Sequence, residues 1–174
     1  LKFENKPSNI NEVFNLINLA HCGQQVLVHF NHFYREKVKL EPYPIELLTR
    51  LRKEIRADQA TGACFVHDGS NGTIYYDPNT SIGILGPFIL HELVHATDLE
   101  LWKLPHLPKD SPLRQSILME TEIRAFQTQQ KFIAEIKQIY PSYSLFIDQV
   151  KARMRILAED LNIEEIQTLY NFKH

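Results

Sequence analysis

His91-Glu92-Leu93-Val94-His95 sets two imidazoles four residues apart, with a carboxylate beside the first. Four residues of helix turn about 400°, so His91 and His95 stand one above the other on a single face. Two nitrogens stacked in this way can hold one Zn²⁺ at about 2.0–2.1 Å. Glu92 lies about 100° round from His91, off the ligand stripe but next to it. From there a carboxylate reaches a water on the metal rather than the metal itself. The five-residue pattern also arises by chance, so its surroundings matter. Ile89, Leu90, Leu93, Val94 and Ala96 give it an apolar helical setting, where two histidines without partners would be costly.

A catalytic zinc usually takes three protein ligands and keeps one position open. The extended motif H-E-x-x-H-x-x-G-x-x-H is excluded: no glycine follows at Ala96-Thr97-Asp98, and Leu101 stands where the last histidine belongs. The third ligand must come from another element. Met119-Glu120-Thr121-Glu122 offers two carboxylates that face about 200° apart and cannot both point at one metal. Glu122, Ala125 and Gln129 share a face at i, i+3 and i+7, and the small Ala125 allows close approach to another helix. That favours Glu122 as the ligand, with Glu120 as the alternative. A solvated glutamate is the ordinary fate of either.

These residues resemble the gluzincin metallopeptidases, among them thermolysin and the small single-domain minigluzincins. His91-Glu92-Leu93-Val94-His95-Ala96-Thr97-Asp98 with Thr121-Glu122-Ile123-Arg124-Ala125 is also similar to the family of the mitochondrial protease that processes an ATP synthase subunit. The resemblance implies Glu122, in its Glu-x-Arg-Ala setting, as third ligand to one Zn²⁺. It also implies that Ala63-Cys64-Phe65-Val66 is an edge strand that binds substrate, matching the Asn-Ala-Phe-Trp strand of thermolysin-like enzymes. The resemblance covers about residues 63–129. One departure is Phe126, where thermolysin-like enzymes place an aspartate that orients a ligand histidine. Asp98, on the His91/His95 stripe at i+7 and i+3, is the candidate replacement, and an exposed helix aspartate is its plainer reading.

The chemistry implied is hydrolysis of a peptide bond. The metal acidifies its water and polarises the carbonyl, while Glu92 takes the water's proton and passes it to the leaving amine. The oxyanion needs a second electrophile. His67, Tyr76 and His106 are candidates, as are Tyr75, Tyr140, Tyr143 and His174, and spacing does not choose among them. An extended peptide would add to the strand at residues 63–66. Two other readings stand beside this one: a zinc amide hydrolase acting on a non-protein amide such as a cell-wall peptide, and a non-catalytic binding module with a vestigial site. The intact set of ligands plus base argues against the last.

The positioning elements follow from pattern. Ser8 or Asn9 can cap a helix to about Ala20, with Ile10, Val13, Phe14, Ile17 and Leu19 as its apolar side. Gly23 breaks the pattern, and Val26, Leu27, Phe30, Phe33 and Tyr34 predict a second helix, with a strand over residues 26–30 as runner-up. His29 and His32 fall on its polar side as surface histidines. Val38-Lys39-Leu40 alternates as a short strand. Pro44 opens a helix from Ile45 to Ala57, with Leu47, Leu48, Leu51 and Ile55 inward and Arg50, Arg52, Lys53 and Arg56 as a solvated basic face. Runs at residues 63–67 and 73–77 around Asp68-Gly69-Ser70-Asn71-Gly72 predict a β-hairpin. The histidine helix is expected from near Pro87 to about Trp102. A proline loop comes next, then a long helix from Ser111-Pro112 to about Tyr140, and two more near residues 144–160 and 162–171.

The expectation is a single α+β domain over residues 1–174, zincin-like by resemblance. A small antiparallel-containing sheet with an edge hairpin packs on the active-site helix (1–110), and an all-helical C-terminal part supplies the third ligand (111–174). With 174 residues, 44% hydrophobic and 23% charged, the chain is ordinary for a globular protein. A net charge of −2 gives no electrostatic footprint for nucleic acid. No apolar run reaches the length of a membrane span. The expected partner is a peptide or protein substrate. Cys22 and Cys64 are the only cysteines, and their spacing leaves pairing open. The chain begins at Leu1, the expected mark of processing, trimming or engineering, so secreted, periplasmic and cytoplasmic locations all stay open, as does oligomeric state.

Overall fold

A computed structural model describes residues 2–54, 62–153 and 164, with side chains over 2–49, 62–150 and 164. The architecture is mixed α+β: one three-stranded mixed sheet and seven α-helices among the described residues.

Helix α1 (Ile10–Ile17) starts at Asn9, whose side chain accepts a hydrogen bond from the Asn11 amide at 3.0 Å. It ends three residues before the expected Ala20. There the Leu19 and Ala20 amides turn back to the Leu16 and Ile17 carbonyls, which leaves Leu19 exposed rather than inward, and α2 (His21–Phe33) follows directly. Gly23 therefore lies inside α2 and does not break it. A Cβ at Gly23 would sit 2.0 Å from the Ile17 carbonyl oxygen, so only glycine lets the two helices meet this closely. The strand alternative for residues 26–30 falls with this.

Strand β1 (Val38–Pro42) pairs in parallel with β3 (Gly72–Tyr76), and β2 (Ala63–His67) pairs antiparallel with β3. The order β1-β3-β2 leaves β2 on an edge. The hairpin turn is held by Asp68, whose carboxylate accepts from the Ser70 and Asn71 amides, both at 2.8 Å. Gly69 takes φ 95°, the left-handed conformation glycine adopts without strain. Helix α3 (Ile45–Glu54) carries Leu48 into the interior. Its expected end, the inward Leu51 and Ile55 and the basic residues 50, 52, 53 and 56 lie outside the described residues or side chains.

Helix α4 (Ile82–Ala96) is the centre of the molecule and packs against α1, α2, both hairpin strands and the long helix α6 (Pro112–Ile139). It begins a turn and a half before the expected Pro87, because its breakers are satisfied from outside. The Ile82 and Gly83 amides donate to the Asn5 and Phe3 carbonyls at 2.8 and 2.9 Å. Pro87 has no N–H for the Gly83 carbonyl one turn back. That carbonyl instead accepts from the hydroxyl of Tyr143 at 2.9 Å, on α7 (Pro141–Arg153).

The far end of α4 also differs from expectation. It stops at Ala96, where the Thr97 hydroxyl closes onto the Leu93 and Val94 carbonyls. A separate short helix, α5 (Leu99–Trp102), then starts with Asp98 as its cap. Trp102 returns an indole N–H to the Ala96 carbonyl at 2.9 Å. A 3₁₀ turn at Leu104–His106 sits within the proline loop. Helix α6 runs as expected, while α7 begins at Pro141, ahead of the expected residue 144. The helix expected near residues 162–171 lies outside the described residues apart from Glu164. Cys22 is buried and Cys64 exposed, and the two are not joined by a disulfide. Among the described residues no helix is long and apolar enough to cross a membrane.

Candidate metal centre

His91 and His95 lie on consecutive turns of α4, 7% and 6% exposed, with their Nε2 atoms 3.0 Å apart. Glu122 on α6 faces both. Its two carboxylate oxygens stand 3.2 Å from His91 Nε2 and 3.2 Å from His95 Nε2. One ligand atom from each residue falls within 4.8 Å of the others, close enough for all three to hold a single metal ion. Glu120, the alternative, points to solvent and accepts from the Ser116 hydroxyl at 3.1 Å. Ala125, three residues on from Glu122, is fully buried.

The protonation pattern suits a cation. His91 Nδ1 lies 3.1 Å from the Gln129 amide oxygen, which can only accept, so the Nδ1 hydrogen points there and Nε2 is the nitrogen that faces Glu122. Burial pushes the Glu122 carboxyl up, but hydrogen bonds to His91 and His95 outweigh it and hold the group well below the usual carboxylate range. An ionised carboxylate and two imidazole Nε2 atoms thus converge, each nitrogen 3.2 Å from a carboxylate oxygen. A divalent cation that replaced the Nε2 protons would find one oxygen and two nitrogen donors already turned toward one point, a set suited to such an ion.

Gln129 is the residue whose role the sequence left unassigned. It shares the Glu122 face at i+7, but nothing in spacing marks it as the partner of a histidine. Phe126, in the position where an aspartate was sought, instead sets its ring edge against His91 with centroids 4.6 Å apart. Asp98 does not turn toward the histidines. One oxygen caps α5 through the Glu100 amide at 3.0 Å, and the other accepts from the Arg124 guanidinium, at 3.1 Å from Nε and also from Nη2. Asp98 leaves the His91/His95 stripe because α4 ends two residues earlier and helical phase no longer relates them. His95 Nδ1 is buried and has no hydrogen-bond partner among the described residues.

Glu92 sits half-buried beside the histidines, and its Oε2 accepts from the Phe65 amide of β2 at 2.8 Å. In an antiparallel pair, alternate residues turn their amide and carbonyl toward the partner strand or away from it. Phe65 turns away from β3, so Ala63 and His67 present their backbone to the same outer edge. Cys64 and Val66 point exposed side chains to the opposite face of the sheet from α4, while Ala63 and Phe65 are half-buried and pack against the main core.

The oxyanion candidates scatter. His67 stacks between Phe65 and Trp102, with centroids 5.2 and 5.1 Å away, and burial holds its pKa below the ordinary imidazole value. Tyr76 is buried in the core. His106 is exposed beside Gly69 at the hairpin turn. Tyr75 stacks on Tyr43, Tyr140 packs on Phe3, and Tyr143 serves Gly83. His174 lies outside the described residues. Comparison of the chain with protein-family models, with curated proteins and with solved structures finds no match.

Proposed function

We propose that the protein is a zinc-dependent metallopeptidase of gluzincin type, with the zincin-like arrangement that its edge hairpin, histidine helix and later ligand helix support. The observation that carries this reading is the Glu122 carboxylate bridging His91 Nε2 and His95 Nε2 at 3.2 Å each. His91, His95 and Glu122 would hold one Zn²⁺, with Gln129 fixing the His91 tautomer. When bound, zinc supplies a Lewis acid that acidifies water and polarises a scissile carbonyl.

The chain's own residues supply the rest. Glu92, next to His91 and aimed at the β2 edge, takes a proton from the attacking water and delivers it to the leaving amine. The outer edge of β2 binds an extended peptide by strand addition, and its alternating side chains set preference. Glu122 is 14% exposed at its side chain, which leaves the centre an opening toward solvent.

Elemental analysis of purified protein, followed by digestion of a peptide library with and without a chelator, tests the reading. The expected result is about one zinc per chain and cleavage that the chelator abolishes. Zinc-free protein that gains neither metal nor activity on addition of Zn²⁺ would sink it. Cleavage of cell-wall peptides but not of protein substrates would move the assignment to the amide hydrolase reading.

A further inference from the structure

The geometry points to the Asp98–Arg124 ion pair as the clasp that seats Glu122 against the histidine pair; this rests on the zinc reading above. Arg124 and Asp98 are positioning residues, and their polar contacts are with each other and with the start of α5 rather than with His91 or His95. Their placement gives them the role. Glu122 belongs to α6, and the polar ties that fasten α6 to the α4–α5 segment include Gln129 to His91 and Arg124 to Asp98. The first tie is made to a ligand itself. The second lies three residues beyond His95, at the junction where α4 gives way to α5.

Arg124 follows Glu122 by two residues, so it projects about 200° round α6 from the ligand and holds the opposite flank of that helix. A rotation of α6 that withdrew Glu122 from the histidines must break both ties. With Gln129 alone, α6 keeps its tie inside the site and the outer bonds of Arg114 to the Leu104 carbonyl and of Glu135 to the Cys22 amide, but loses the clasp on the flank opposite Glu122.

The pair is not an ordinary surface bridge. The Asp98 side chain is only 9% exposed while that of Arg124 is 47% exposed. Both oxygens of Asp98 are engaged, one by the Glu100 amide and one by two guanidinium nitrogens. A buried carboxylate so placed needs its cation, because removing one partner of a shielded pair leaves the other charge uncompensated. The planar guanidinium supplies two donors to one oxygen at fixed geometry, which a lysine cannot.

Zn²⁺ affinity, measured by competition with a chromophoric chelator, tests this on wild type, R124L, R124K, D98N, E122A and E122A/R124L. The expected result is a loss of about tenfold or more in R124L, in the range for residues that orient metal ligands, with R124K recovering part of it. E122A/R124L should bind no more weakly than E122A, because Arg124 acts through Glu122. Co²⁺-loaded R124L should give a visible spectrum closer to that of E122A than to wild type. The amide introduced by D98N still caps α5 and carries no charge, so D98N carries the test if R124L fails to fold. Wild-type affinity with a wild-type cobalt spectrum in R124L, or losses that multiply in E122A/R124L, would overturn the clasp and leave the zinc reading standing. Wild-type protein that took up no Zn²⁺ would overturn both.

Discussion

The Phe65 amide donates to Glu92 Oε2 at 2.8 Å, so the edge strand and the proposed base hold one another. This contact fixes the carboxylate between the histidine pair and the strand that would carry a peptide. It also makes the isosteric variant informative. In Glu92→Gln the side-chain carbonyl still accepts from Phe65, and position is kept while basicity is lost. Metal content should stay at the wild-type level, and peptide hydrolysis should fall by about 10²–10⁴-fold. Full turnover in that variant would remove Glu92 from the base role.

Gln129→Leu should weaken metal binding by about 10–100-fold. The substitution leaves His91 Nδ1 without its acceptor in a site where the ring is nearly buried, and the imidazole is then free to turn or change tautomer. Chelator competition reads the affinity, and circular dichroism checks that the fold persists. An unchanged affinity would show that Phe126 packing alone orients the ring.

Tyr143→Phe should cost about 1–3 kcal/mol of stability, because the Gly83 carbonyl is left buried without a donor. Restoring an N–H at the position that lacks one should recover part of the loss, so Tyr143→Phe combined with Pro87→Ala is expected to be more stable than Tyr143→Phe alone. Urea unfolding midpoints decide it. Equal midpoints for the two would mean that the hydroxyl bond contributes nothing there.

Burial and the neighbouring Glu135 carboxylate push the Cys22 thiol from its ordinary value near 9 up to about 12. Between those values the unfolded chain has lost the proton and the folded chain keeps it, so stability falls as pH rises through the window. The contribution is whole below about pH 9 and gone by about pH 12. Urea unfolding from about pH 8 to 11 should show a steeper alkaline decline for wild type than for Cys22→Ala. In the native protein a thiol reagent should modify the exposed Cys64 and spare Cys22.

The clustering of His91, His95 and Glu122 was legible because it depends on short-range periodicity. His91 and His95 need one helical turn, and Glu122 followed from sharing a face with Ala125. The hairpin was legible from Asp68 and Gly69, whose turn chemistry is local. What the sequence hid was supplied at a distance. Gly83, Gly86 and Pro87 look like a helix boundary until Phe3, Asn5 and Tyr143 provide the missing hydrogen bonds. Gly23 looks like a break until the Ile17 carbonyl is seen beneath it. Asp98 was misplaced because a stripe projected past Ala96 followed a helix that had already ended. The parallel pairing of β1 with β3 leaves no local trace either, since it joins segments separated by a helix and a strand.

Helix α4 has almost no wet side. Eleven of its fifteen residues are buried, both histidines among them, and its two ends are stapled by Phe3 and Asn5 on one side and by Thr97 and Trp102 on the other. Fraying from a terminus therefore does not reach the imidazoles, and the small opening they have lies on the Glu122 side. Any ion held there would come and go past the Glu122 carboxylate, while the histidine half stays fixed in the most shielded of the described helices.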